Sequence, residues 1–281
     1  MTIFADDTSV AITAGSPEKL LDKCSMILGE FKKWCQYNAL ILNTSKTKCL
    51  IFNSSYNVDN GMFIQFESEK LFLCDHVKFL GILLDRDLRW SLHVDSVTKK
   101  LSSAFYAINK IKNFLSTISV MEVYYALAYS HINYNIMLWG SSVDSQRVFI
   151  SQKRLIRTIF RLGPRESCKG AFIGNKILTT PCIFIYRCLI YVKENEGKFV
   201  KLSSFHCHNT RNVKTLFIPG HSSAKYENSP AYQCIKLYNH LPYAFKCLGP
   251  ARFRKIVKSV LLKNCYYSVR EYLTDNNITY V

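Results

Sequence analysis

An α+β fold is what this sequence predicts, with short antiparallel strands and one helix in the first 90 residues and a mainly α-helical remainder. Three observations predict it. Short β-prone runs separated by Asn, Ser, Asp and Gly fill the first third. From Leu92 onward apolar residues recur at spacings of three and four, the period of a helix. The chain of 281 residues is 48% apolar and 20% charged, a composition that supports real cores.

The elements come in this order. Met1 to Ala5 is apolar, Asp6-Asp7 interrupts it, and Thr8 to Thr13 is again β-prone, which predicts two short strands joined by a tight acidic turn. Ser16-Pro17-Glu18 supplies an N-cap, a proline at the first helical position and an acid in the first turn. Leu20, Cys24, Ile27, Leu28, Phe31, Trp34 and Cys35 then mark one amphipathic helix from about Ser16 to Gln36. Lys48–Phe52, Met62–Phe66, Leu71–Cys74 and Phe79–Leu84 read as strands.

In the helical part, Val97, Leu101, Ala104, Phe105, Ile108, Ile111 and Leu115 share a face, with Lys99, Lys100, Lys110 and Lys112 mostly off it. Ser119-Val120-Met121-Glu122 fits a capping box opening a helix to about Trp139. Another is expected from about Val143 to Leu162, stopped by Gly163-Pro164 and carrying Lys153, Arg154, Arg157 and Arg161 on adjoining turns. A helix near Pro181–Glu194 closes this bundle, a polar connection extends from Glu196 to Pro230, and helical patterning returns to the end. Three regions result: 1–90, 91–196 and 197–281.

Charge is segregated along the chain. Residues 1–90 hold 10 Lys/Arg against 11 Asp/Glu, whereas 91–281 hold 27 against 9, which together give the net +17. A one-sided positive field favours a polyanion, because each phosphate neutralised releases counterions; the plain alternative is that lysines keep an aromatic-rich domain in solution. Eleven cysteines without a Cys-x-x-Cys pair and no signal peptide point to a reduced, intracellular protein of nucleus or cytoplasm, not a secreted one. His206-Cys207-His208 lacks a second ligand pair at finger spacing and reads as loop. The apolar runs Val123–Trp139 and Pro181–Val192 are broken by polar residues and fall short of a membrane span. Tyr124, Tyr125, Tyr129, Tyr134 and Trp139 lie at helical spacing, which favours bundle core over a base-stacking platform.

Two adjacent carboxylates at a hairpin tip repel each other and call for a cation. Magnesium is a hard cation that takes oxygen ligands, and phosphoryl-transfer sites hold it on carboxylates.

Phe4-Ala5-Asp6-Asp7-Thr8 resembles the palm hairpin of reverse transcriptases, and the motifs downstream of it are similar to those of non-LTR retrotransposon polymerases of the LINE type, in the same order. Leu42-Asn43-Thr44-Ser45-Lys46-Thr47-Lys48 resembles the family's Asn-x-x-Lys-Thr segment, and Val77 to Asp85, through Leu88, Trp90 and His93, its Phe-Leu-Gly strand pair and thumb entry. Trp139-Gly140, Gln152 to Arg157, Thr210-Arg211 and Asn239-His240-Leu241-Pro242 resemble its downstream helical region.

The resemblance implies the C-terminal part of a palm over 1–90, a helical thumb and a C-terminal helical region. It implies Asp6 and Asp7 as catalytic ligands of Mg2+, Lys46 beside the incoming triphosphate, and Phe79, Leu80 and Gly81 as primer grip. Lys99, Lys100, Lys153, Arg154, Arg157 and Arg161 would meet an RNA template and DNA primer, or an RNA–DNA duplex. In the family an earlier palm aspartate, the fingers and the nucleotide-selecting helix precede this hairpin. The chain is therefore expected to be part of an RNA-directed DNA polymerase, inactive without an upstream polymerase fragment. The alternatives are a non-catalytic nucleic-acid-binding helical module and a non-functional transposon relic.

Overall fold

The computed structural model describes residues 1–52, 63–66, 69–204 and 214–279, and the chain divides into two compact units, Met1–Leu88 and Arg89–Val281. In the first unit β1 (Thr2–Phe4) pairs antiparallel with β2 (Asp7–Ser9). Helix α1 (Pro17–Tyr37) starts where the sequence predicts, the Ser16 hydroxyl accepting the Lys19 N–H at 3.3 Å. Its apolar face covers the hairpin of β3 (Phe63–Phe66) and β4 (Glu69–Phe72): Cys24 packs with Ile64, Phe66 and Leu71, flanked by Leu20, Leu21 and Leu28. Ile64 is paired with Leu71, so both side chains stand on the same face, while the pair Phe63 and Phe72 stands on the other with Lys70 4.4 Å above the Phe63 ring.

Strands β5 (His76–Phe79) and β6 (Ile82–Asp85) make a third ribbon, and among the described residues the three ribbons do not merge into one sheet. The β-prone pattern predicts a single strand over Phe79–Leu84, whereas the resemblance implies a strand pair there; the run is bent into a hairpin at Leu80-Gly81, where both residues adopt positive φ. Of the strand expected at Lys48–Phe52 only one bridge, Cys49 to Leu73, forms among the described residues. Met62, His206 to His208 and Thr210-Arg211 lie outside the described residues.

The second unit begins with α2 (Ser91–Ile111), whose stripe Val94, Val97, Leu101, Ala104 and Ile108 is buried. Helix α3 (Thr117–Tyr124) is capped by Ser116, not by the Ser119 box: the Ser116 hydroxyl accepts the Ser119 N–H at 3.2 Å. The expected single helix to Trp139 is broken twice. A π-helical turn runs from Tyr125 to Tyr129, and after α4 (Ser130–Asn133) the chain turns extended at Tyr134 and left-handed at Asn135 before α5 (Ile136–Trp139). Tyr124 and Trp139 are wholly buried, as core packing requires, but Tyr125 and Tyr134 are 41% and 45% exposed because the π turn and the break rotate them off the buried stripe.

Helix α6 (Ser145–Ile159) is followed by the unanticipated α7 (Lys169–Gly174) and by α8 (Thr180–Glu194). Nine of the residues of α8 are buried, spread around its circumference, so the apolar run Pro181–Val192 is a central core helix. After α9 (Ala224–Glu227), helices α10 (Pro230–His240) and α12 (Pro250–Asn264) pack on α8, with α11 (Tyr243–Lys246) between them in sequence and α13 (Val269–Thr274) beyond. No helix among the described residues is long and apolar enough to cross a membrane.

Gln152, on α6 and fully buried, ties this bundle together. Its amide nitrogen donates to the Tyr124 hydroxyl and the Leu178 carbonyl, both at 2.9 Å, and its oxygen accepts from the Thr180 N–H at 2.7 Å and hydroxyl at 2.9 Å. Gln152→Leu strands donors and acceptors of three segments in a dry core, at roughly 1–3 kcal/mol for each unsatisfied group. A loss of more than about 3 kcal/mol is expected from urea midpoints at unchanged m-value; a loss under about 1 would contradict this role.

Lys246 is a second buried polar group of the unit. Its ammonium donates to the Asn239 carbonyl at 2.9 Å, and burial lowers its pKa from the ordinary lysine value to about 8. Between pH about 8 and the ordinary 10.5 the unfolded chain holds this proton more tightly than the folded one, so this lysine's penalty fades as pH rises. The stability of Lys246→Met relative to the wild type should therefore fall between about pH 7.5 and about pH 10 in paired urea titrations. A difference independent of pH would refute the burial effect.

Candidate functional site

The register Phe4 to Asp7 leaves Ala5-Asp6 as a two-residue turn. Ala5 sits at φ 52°, a left-handed conformation that costs an alanine about 1 kcal/mol relative to glycine. Asp6 and Asp7 are both exposed, and neither is ion-paired with a described residue. They offer hard oxygen donors of the kind magnesium takes, and no group of three or more potential metal ligands occurs among the described residues. Apolar side chains flank this tip in the open, Phe4 being 63% exposed.

Lys46 is held by an asparagine-centred turn after α1. The Asn43 side-chain oxygen accepts the Ser45 hydroxyl at 2.8 Å and the Lys46 N–H at 3.1 Å, and the Asn43 carbonyl accepts the Thr47 N–H at 3.1 Å. This fixes the backbone and leaves the lysine exposed. In the β5–β6 hairpin, Phe79 pairs with Ile82 across Leu80 at φ 43° and Gly81 at φ 81°. Two consecutive positive φ values are the signature of the type I′ turn, which matches strand twist and favours Asn-Gly. Gly81 meets that demand and Leu80 does not.

The basic residues divide into two kinds. Lys99 and Lys100 lie exposed on α2, away from its buried stripe. Burial first, and then the Lys100 charge, lowers the pKa of His93 and of His131. The cations of α6 are engaged: Arg154 lies 3.8 Å above the Phe105 ring of α2, and Lys153 stands 4.7 Å from Phe149 and 5.6 Å from Tyr267. Arg157 donates through Nε to the Glu166 carbonyl at 3.1 Å. Arg161 comes after the helix end at φ 56° and is exposed. So Lys153 and Arg154 cover different rings, and the spacing that groups them in sequence does not make one stripe.

The downstream motif residues hold the bundle in shape. Trp139 is fully buried and donates its indole N–H to the Tyr134 carbonyl at 3.1 Å. A Cβ on Gly140 would lie 2.5 Å from the Phe184 ring, so only glycine lets α5 approach α8 this closely. Asn239 clamps the backbone of Leu216 through both amide atoms at 2.8 Å, holding the polar connection against α10. Lys236 and Arg270, which carry no local sequence signature, border a cleft of the second unit.

Among curated proteins, the chain is 24% identical over 164 residues to the probable RNA-directed DNA polymerase from transposon X-element of Drosophila melanogaster. The match covers 57% of this chain and 18% of that protein, so the chain spans less than a fifth of the relative's length. No family model matches the chain, and no solved structure matches it. The sequence is thus related to the reverse transcriptases of non-LTR retrotransposons.

Leu80 in its left-handed position provides a direct test of the second turn. Replacing it by asparagine puts a favoured residue ahead of Gly81, and should stabilise the hairpin by a few tenths to about 1 kcal/mol. Slower amide exchange across β5 and β6 is the expected reading; faster exchange would show that the leucine side chain holds the ribbon together.

Proposed function

We propose that this chain is the part of a retrotransposon RNA-directed DNA polymerase that runs from the acidic palm hairpin through a helical thumb, and that it binds template–primer duplex without extending it unaided. The observation that carries the reading is the pair of tight hairpins in the family's order. Asp6 and Asp7 stand exposed on the first, and Leu80-Gly81 turn the second, with the Asn43-anchored Lys46 between them in sequence. Relation to a transposon RNA-directed DNA polymerase supports it.

On this reading Asp6 and Asp7 would hold Mg2+, which in phosphoryl transfer neutralises charge developing on the leaving oxygens. Lys46 would offset triphosphate charge, and the turn at Leu80-Gly81 would bring backbone close to the primer. Lys99 and Lys100, exposed on α2, would contact phosphates, with Arg161 beyond the end of α6. Lys153, Arg154 and Arg157 would contribute mainly by holding helices in place, since each already has a ring or carbonyl partner.

A second reading, a helical nucleic-acid-binding module without chemistry, is favoured by the excess of positive charge in 91–281, where 27 Lys/Arg face 9 Asp/Glu. Primer extension on an RNA template with Mg2+ separates the two. Extension is expected only when a polypeptide carrying fingers and the earlier palm strand is added, and should vanish with Asp6→Ala or Asp7→Ala. Silence in every sample, with RNA binding retained, would favour the module; extension by the chain alone would overturn the proposal. Under either reading Lys99→Glu/Lys100→Glu should weaken duplex binding and make the slope of log K against log salt shallower by about 2.

A further inference from the structure

We infer that a cleft of about 430 Å³ in the second unit is a binding site for a phosphoryl group, with room for the nucleoside attached to it. The starts of α6 and α8 form one side, the α10 segment from Gln233 to Lys236 and the start of α13 the other. The cleft shares no residue with the duplex contacts at Lys99, Lys100 and Arg161, and it would bind its ligand whether or not those contacts form.

Two observations converge on an oxyanion. Lys236 and Arg270, from different helices, border the same cleft, and neither has a carboxylate partner among the described residues. Among the described residues no aspartate or glutamate lines it. The two nearest carboxylates by sequence lie outside its lining, Asp144 accepting the Ser91 hydroxyl at 2.6 Å and Glu271 the Tyr267 N–H at 2.7 Å.

The surrounding backbone strengthens the field. Helices α6 and α8, each of 15 residues, begin at the cleft and present the positive ends of their dipoles to it. On α8 the first donors are already used, the Thr180 N–H by Gln152 and the Cys182 N–H by Thr179, so α8 contributes dipole and not free amides. The Lys236 ammonium stands 5.7 Å from the Tyr232 ring, a contact that leaves its hydrogen-bond donors available. Phe149 and Leu273 supply an apolar wall for a base or sugar. Two cations around a partly apolar cleft suit a nucleotide phosphate better than a carboxylic acid of equal size, since the phosphate carries more charge and more acceptor oxygens.

Titration calorimetry on the full chain tests this with three phosphate-bearing probes, inorganic phosphate, adenosine monophosphate and a short unstructured RNA, and with adenosine as the phosphate-free control. Adenosine monophosphate is expected to bind at least about tenfold more tightly than adenosine, and Lys236→Gln/Arg270→Gln to lose at least about tenfold in affinity. The melting temperature should not change, because both side chains are exposed, and Lys236→Arg/Arg270→Lys should keep binding. If RNA affinity also falls in the glutamine variant, whatever the effect of Lys99→Gln/Lys100→Gln, the phosphate comes from a strand backbone; if only the mononucleotide is affected, it comes from a free nucleotide. Equal behaviour of wild type and glutamine variant towards all three probes, including no binding of any, overturns the inference.

Discussion

The second unit is organised by one buried amide that must find partners for both its ends. Gln152 cannot reach water, so α6 is placed where its donors and acceptors are met: by the Tyr124 hydroxyl at the end of α3, the Leu178 carbonyl, and the N–H and hydroxyl of Thr180 at the start of α8. Next to it, the Thr179 hydroxyl caps α8 and donates to the Tyr266 carbonyl at 2.6 Å, which locks the chain after α12 to the same point. Burial of Tyr124 and Trp139 supplies the free energy, each worth roughly 5 kcal/mol as an upper figure at about 25 cal/mol per Å². The polar network contributes less net stability but decides which arrangement of those apolar surfaces is allowed, because any register shift strands several groups at once.

That requirement explains the irregular path from α3 to α5. An ideal helix from Thr117 to Trp139 would carry every fourth residue down one stripe. The π turn at Tyr125–Tyr129 adds a residue, and Asn135 at φ 45° redirects the chain, so that Tyr124 faces Gln152 while Trp139 turns inward against His93, ring centroids 5.8 Å apart. Gly140 then allows α5 to sit against Phe184. Among its described residues the first unit has no comparable polar hub; its small cluster of Cys24, Ile64, Phe66 and Leu71 rests on strand pairing and on the cap of α1.

How much of the fold was legible in the sequence depends on the range of the forces involved. Local chemistry was readable: Ser16-Pro17 starts α1, the α2 stripe is set by spacing alone, and the acidic turn lies between two β-prone runs. Features set by long-range satisfaction were not. Ser116 wins the cap over Ser119 by one turn, the π turn has no local signal, and the α6 cations are diverted by rings on other segments, Phe105 and Tyr267. By pattern the Phe79–Leu84 run reads as one strand because its apolar residues are continuous; Gly81 and the likeness to a Phe-Leu-Gly strand pair point to the turn, while leucine in a left-handed position contradicts turn propensity. Lys236 and Arg270 are 34 residues apart, and no spacing rule connects them.

The positive charge of the chain is therefore less uniform in meaning than its total suggests. A cation pressed against an aromatic ring or on a carbonyl has already exchanged part of its hydration for protein contacts, so moving it to a phosphate gains only the difference. Lys153, Arg154, Arg157 and the buried Lys246 are of this kind. Lys99 and Lys100 on α2, and Arg270 at the cleft, are exposed and carry no ring or carbonyl contact of this kind among the described residues. Exposed Lys236 has only a distant one, 5.7 Å from the Tyr232 ring, so these four can trade hydration for a phosphate with release of counterions. Under the proposed reading, recognition of a polyanion would rest on exposed cations held on rigid helices, while Lys153, Arg154, Arg157 and Lys246 help to fix where the helices stand.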